Sequence, residues 1–264
     1  MYRAFTLTDV DAGSFNQSDP EDLLARGEGL TTKNRTIVKK ALDAFVTTDG
    51  SLDGSRLQQH WFPQVEADVF ISHSHTDERL AELVAGWLNR ECRLTTFIDS
   101  CVWGYADDLL WQIDNRHSKS GDNLFSYETR NLTTSHIHMM LTRALSMMID
   151  RTECLLFLRT PTSINSQEAV AKTESPWLYM ELGVAAIIDR KKPNRNADTV
   201  NENFARVAKT ASFHMKYDVS GPLESLTPID HDTLNEWRAT QKAAKGHALD
   251  TLYGIAAERS SCCA

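Results

Sequence analysis

Residues 67–88 read ADVFISHSHTDERLAELVAGWL, and the fold turns on this stretch. Its first part, ADVFIS, is a short apolar run without alternation, the pattern of a strand buried on both faces of a parallel sheet. The run breaks at residues 72–75, after which Leu80, Leu83, Val84, Trp87 and Leu88 recur at helical spacing. Thr76 is placed to cap that helix, with Asp77 and Glu78 at the positive end of its first turn. A buried strand leading directly into an amphipathic helix is the building unit of a doubly wound α/β sheet.

Toward the C-terminus the unit repeats. LTTFID (94–99) reads as a second strand, CVWGYADD (101–108) as a loop and DLLWQID (108–114) as a short helix. The polar residues from about 115 to 134 have no clear period and predict a surface insertion or lid. Ile137, Met140, Leu141, Ala144, Leu145, Met148 and Ile149 form a helical stripe, and CLLFLR (154–159) follows as another buried strand. Ser175 and Pro176 open the next helix as N-cap and first-turn proline, and the helix continues through WLYMELGVAAII. FHMKYDVS (213–220) is the expected final strand, and Leu234, Trp237, Leu249 and Leu252 mark a helical tail. Toward the N-terminus, Ile37, Val38, Ala41, Leu42 and Phe45 share a helical face, which TTDGSLDGS, rich in turn formers, separates from ADVFIS. The expected organisation is a helical extension over residues 1–64, an α/β domain over 65–220 and a helical tail over 221–264.

Composition sets outer bounds. With 41% hydrophobic and 24% charged residues, the 264-residue chain has the usage of a packed globular protein. A net charge of −8 opposes non-specific nucleic-acid binding, which draws on clustered Lys and Arg. The one basic cluster, Arg190, Lys191, Lys192 and Arg195, suits a helix C-terminus. No apolar run approaches the roughly 18 residues of a membrane helix, so a cytoplasmic location without membrane contact is expected. Cys92, Cys101, Cys154, Cys262 and Cys263 are odd in number and lack a CxxC spacing, so they read as reduced thiols. The tail SSCCA does not carry cysteine fourth from the end, as prenylation needs.

Three segments in this order, DVFISHSHTD, FIDS and SPWLYMELG, resemble the TIR (Toll/interleukin-1 receptor) domain. The resemblance spans roughly residues 67–220 and implies a flavodoxin-like, doubly wound parallel sheet whose ligands sit beyond the carboxyl ends of the strands. Ser72, His73 and Asp99 fall at that rim. Many microbial TIR domains cleave NAD, using a glutamate four residues after a tryptophan, and Trp177 and Glu181 have this spacing. The resemblance therefore implies an NAD glycohydrolase or cyclase with NAD as substrate and no further cofactor. Its products would be nicotinamide with ADP-ribose or a cyclic ADP-ribose-type signal. A place in antiphage defence of the Thoeris-like kind follows by analogy, with self-association on activation and a downstream effector that reads the nucleotide. Trp103 and Tyr105 lie in the loop that would cover the substrate or, as in the family's assemblies, reach a neighbouring subunit, plain packing being the alternative. The chain departs from the receptor-type pattern in lacking a proline after the second strand, and Leu178 replaces a cysteine often found beside the tryptophan.

The residues themselves admit this chemistry. Positions i and i+4 share a helix face, so the Trp177 indole and the Glu181 carboxylate are expected to project together. A carboxylate can offset the charge of the oxocarbenium-like centre formed when nicotinamide leaves. The plainer reading makes Glu181 a solvated or paired helix residue and Trp177 a core aromatic. Two histidine pairs, His73 with His75 and His136 with His138, have ligand-like spacing. SHIH (135–138) falls at an expected helix start and no convergent carboxylate is evident, so no metal is expected. Two other functions stay open: a non-enzymatic TIR interaction module, and an enzyme resembling nucleoside deoxyribosyltransferases.

Overall fold

A computed structural model describes residues 1–15, 19–35, 42–100, 106–121, 124–164, 171–193, 216–243 and 246–262. In chain order the elements are β1 (Arg3–Leu7), α1 (Pro20–Arg35), α2 (Gly54–Trp61), β2 (Val69–Ser72), α3 (Glu78–Cys92), β3 (Thr96–Phe97) and α4 (Ala106–His117). There follow β4 (Lys119–Gly121), β5 (Leu124–Phe125), α5 (Tyr127–Arg151), β6 (Cys154–Leu158), β7 (Lys172–Thr173) and α6 (Pro176–Ile187). The chain then forms β8 (Tyr217–Asp218), α7 (Ser220–Glu224), β9 (Thr227–Ile229), α8 (His231–Ala243) and α9 (Ala248–Cys262).

Five strands form one all-parallel sheet in the order β3-β2-β6-β1-β9, flanked by helices and compatible with a flavodoxin-like fold. Alternate strand residues enter opposite layers, as the two-residue pleat requires. Ala4, Phe70, Phe97, Leu155 and Phe157 join the core beneath α2, α4, α5 and α6. Phe5, Leu7, Val69, Ile71, Leu156 and Leu158 join the core beneath α1, α3, α8 and α9. Both faces are thereby covered, which is why ADVFIS and CLLFL are continuously apolar.

The expected domain division is corrected at both ends. RAFTL, inside the supposed helical extension, is a sheet strand: β1 pairs with β6 from Arg3↔Cys154 to Leu7↔Leu158 and with β9 on its other side. The supposed tail supplies β9, and Trp237 of α8 is fully buried with its indole N–H donating to the Ala248 carbonyl. FHMKYDVS is not the last sheet strand: its Tyr217 and Asp218 pair antiparallel with Thr173 and Lys172 in a separate ribbon. The extension's apolar helical face lies partly outside the described residues, which resume with Leu42 and Phe45 buried in a 3-10 turn.

Two further details differ from expectation. The helix after β2 is preceded by a 3-10 turn over His75–Asp77, so Asp77 rather than Thr76 stands at its N-cap. The described residues within 115–134 form the end of α4, the antiparallel pair β4 and β5 and the first turns of α5. Buried Asp114 fastens them, accepting from Ser118, Thr133 and Arg130. SHIH therefore lies inside α5 rather than at its start. Of the basic cluster, Arg190 donates to the Ala185 carbonyl at the end of α6, as a C-terminal cation should, while Lys191 pairs with Asp150. No helix among the described residues is long and apolar enough to cross a membrane.

Candidate functional site

Because all five strands run parallel, their carboxyl ends share one rim, and the polar residues that end β2 and follow β3 meet there. Ser72, the last residue of β2, is fully buried. Its Oγ donates to Glu181 Oε2 at 2.5 Å. Glu181 is delivered by α6, which starts as the residue types dictate. Ser175 is the N-cap, its side chain accepts from the Leu178 N–H, and Pro176 occupies the first turn. Leu178, Leu182 and Ala185 pack this helix on the core, and Glu181, only 1% exposed, is carried in with them. The solvated form of the plainer reading is thus excluded, while its paired form is met by the Ser72 hydrogen bond.

Burial holds the Glu181 carboxyl well above the usual carboxylate range, the Asp99 charge pushes in the same direction, and the Ser72 hydrogen bond opposes both. Asp99 follows β3 at the neighbouring strand end; burial raises its carboxyl as well, offset first by His73. His73, 6% exposed, places Nδ1 3.8 Å from Asp99 Oδ1 and Nε2 2.9 Å from Ser100 Oγ. Two neighbouring carboxyl groups, one buried and one partly exposed, resist simultaneous ionisation.

The structure brings together Ser72, His73, Asp99 and Glu181. Trp177, one turn before Glu181, is half-buried on the core beside α5, its ring edge-on to His138 at 5.5 Å and 77°. Trp103 and Tyr105 lie outside the described residues. Sequence reasoning passed over Ser100, although it ends the FIDS segment, and also a clamp between two rim loops. In that clamp Asp77 Oδ2 accepts from Thr160 Oγ1 at 2.6 Å and from Thr162 Oγ1 at 2.7 Å, tying the start of α3 to the loop after β6. Only Asp77 had been noted, as a helix-start acid; its threonine partners lie more than eighty residues away.

Cys92 and Cys154 are buried and unreactive in character. Burial pushes the Cys92 thiol up to about 12 and raises Cys154 likewise. Among the described residues no group of three or more His, Cys, Asp or Glu is placed to hold a metal ion. No family model, curated protein or solved structure matches the chain.

Proposed function

We propose that this chain is a TIR-type enzyme that cleaves the nicotinamide–ribose bond of NAD, with Glu181 as the catalytic carboxylate. The observation that carries the reading is the burial of Glu181 against Ser72 Oγ at the carboxyl rim, with Asp99 beside it. A carboxyl group held away from water is expensive to keep, and such groups concentrate where chemistry uses them. Burial and the Asp99 charge raise the proton affinity of the Glu181 carboxyl. A cationic nicotinamide ring near the pair acts in the opposite direction, favouring the carboxylate that cleavage requires. As the bond to ribose lengthens, nicotinamide leaves neutral and positive charge grows on the sugar, where the carboxylate stabilises it. Ser72 holds the carboxyl in place, and Asp99, partly exposed and backed by buried His73, lines the substrate side of the rim. ADP-ribose or a cyclised isomer results, in a cytoplasmic, defence-related role with self-association on activation and an effector that reads the product.

The test is Glu181→Gln, which keeps shape and hydrogen bonding and removes the ionisable group. Nicotinamide release from NAD, followed by chromatography, is expected to fall by about 100-fold to 1,000-fold. Activity within a few-fold of the parent would sink the assignment. A second reading, a binding module, draws on the exposed Trp111 and Tyr127 at the α4–α5 end of the molecule. Under it, NAD is left intact by parent and variant alike.

A further inference from the structure

Beside the Ser72–Glu181 pair, three side chains from the ends of β2 and β3 stand in the order hydroxyl, imidazole, carboxylate. Ser100 Oγ lies 2.9 Å from His73 Nε2, and His73 Nδ1 faces Asp99 Oδ1 at 3.8 Å. The His73 side chain is 1% exposed, and its Nδ1 is buried without a hydrogen-bond partner. A histidine serving only to pack would have its buried ring nitrogens bonded, since orphaned buried polar atoms are costly. For Nε2 to accept the Ser100 hydroxyl proton, the ring's own proton must sit on Nδ1, the nitrogen that looks toward Asp99. The Ser100 main-chain N–H favours the charged form of Asp99. Ser100 is partly exposed, so its hydroxyl stands between a buried base and the solvent side of the rim.

We propose that Ser100 is a nucleophile activated by His73 and oriented through Asp99, forming a second catalytic centre at this rim for acyl donors of the carboxylic ester class. The order of roles is that of a serine–histidine–aspartate relay, which is recognised by geometry and not by position in the chain. Ser100 Oγ bonds to the ester carbonyl carbon while its proton passes to His73 Nε2. The bond from that carbon to the alcohol oxygen then breaks, and His73 returns the proton to the departing alcohol. Water attacks the acyl-serine by the same route, releasing the carboxylic acid and restoring the serine. Asp99 stabilises the imidazolium formed in each half. The 3.8 Å separation is longer than a hydrogen bond, and such contacts tighten when the reacting complex forms. This centre rests on Ser100 and His73 and does not depend on NAD cleavage.

A fluorophosphonate probe on the full chain, followed by intact mass spectrometry and peptide mapping, tests the proposal without knowledge of the natural ester. The expected result is one adduct on Ser100: the Oγ–P bond forms, the P–F bond breaks, and fluoride leaves as the proton reaches His73. His73→Gln is expected to slow labelling by about 1,000-fold or more, and Asp99→Asn by about tenfold or more. Ser100→Ala takes up no probe while melting as the parent does. Asp99→Asn changes a partly exposed side chain, so it serves if His73→Gln does not fold. No adduct on Ser100 at saturating probe overturns the proposal, and so do equal labelling rates in the parent and the His73 and Asp99 variants.

Discussion

On one face of the sheet, α1 and α3 approach so closely that Gly27 lies against the Glu82 carbonyl and Gly86 against the Leu23 carbonyl. At the carboxyl rim, by contrast, α6 meets β2 through a carboxyl group and a hydroxyl. Both contacts are buried, yet they are built oppositely. Between α1 and α3 the buried contact is of main chain and carbon, with the Arg90–Asp22 ion pair at its exposed edge, and the absence of two side chains lets apolar surface close around Leu23, Leu83 and Val84. At the rim a titratable group is kept from water with one hydroxyl as its recorded partner, an arrangement that weakens the folded state as soon as the group ionises. The first contact is what stability selects. The second is not, and it is the contact on which the proposed function rests.

The largest effect expected on folding is at the glycines. A Cβ on Gly86 would stand 1.9 Å from the Leu23 carbonyl oxygen and one on Gly27 2.1 Å from that of Glu82, backbone atoms that cannot swing aside. Gly86→Ala is therefore expected to lose about 3 kcal/mol or more, a drop in Tm on the order of 10 °C, read by thermal melting. A melt within 2 °C of the parent would mean that the helices separate easily and that the contrast fails.

An intermediate effect is expected at the clamp between rim loops. Asp77→Ala leaves Thr160 Oγ1 and Thr162 Oγ1 without their shared acceptor, for about 1 to 2 kcal/mol in urea unfolding. Asp77→Asn retains an acceptor and should recover part of that loss, which separates the hydrogen bonds from the helix-terminal charge.

The smallest change in stability, and the most telling, is at Glu181. Its folded-state carboxyl holds a proton more tightly than the ordinary value of 4.5 allows, so the folded state binds more protons than the unfolded one. The resulting stabilisation is complete below that ordinary value and is lost as pH rises through the folded-state value. Asp99 acts in the same direction. The parent is accordingly expected to lose stability as pH rises above about 4.5, while Glu181→Gln has a flatter profile and lies within about 1 kcal/mol of the parent at low pH. Denaturant unfolding across that range measures both; identical slopes would show that Glu181 ionises freely and that the rim is no different from a solvated surface.

Local periodicity made much of the sheet and its layers legible. The buried strands at ADVFIS, LTTFID and CLLFLR, the α5 stripe and the Ser175–Pro176 helix start were readable because each is a property of a few consecutive residues, set by pleat, helical turn and capping. Glu181 was singled out by its distance from Trp177, but its burial against Ser72 was not, since the two are 109 positions apart. The same limit hid β1. RAFTL, with Arg3 and Thr6 among its apolar residues, presents no continuous apolar run, and it becomes a strand because Cys154–Leu158 and Thr227–Ile229 offer edges on either side. The place of β1 between β6 and β9, the seat of Trp177 on α5, and the meeting of Ser100 with His73 were decided by tertiary structure alone. Hydrogen-bond pairing and the burial of polar groups depend on partners that distance along the chain does not reveal, whereas the pattern that makes a strand or a helix is written within it.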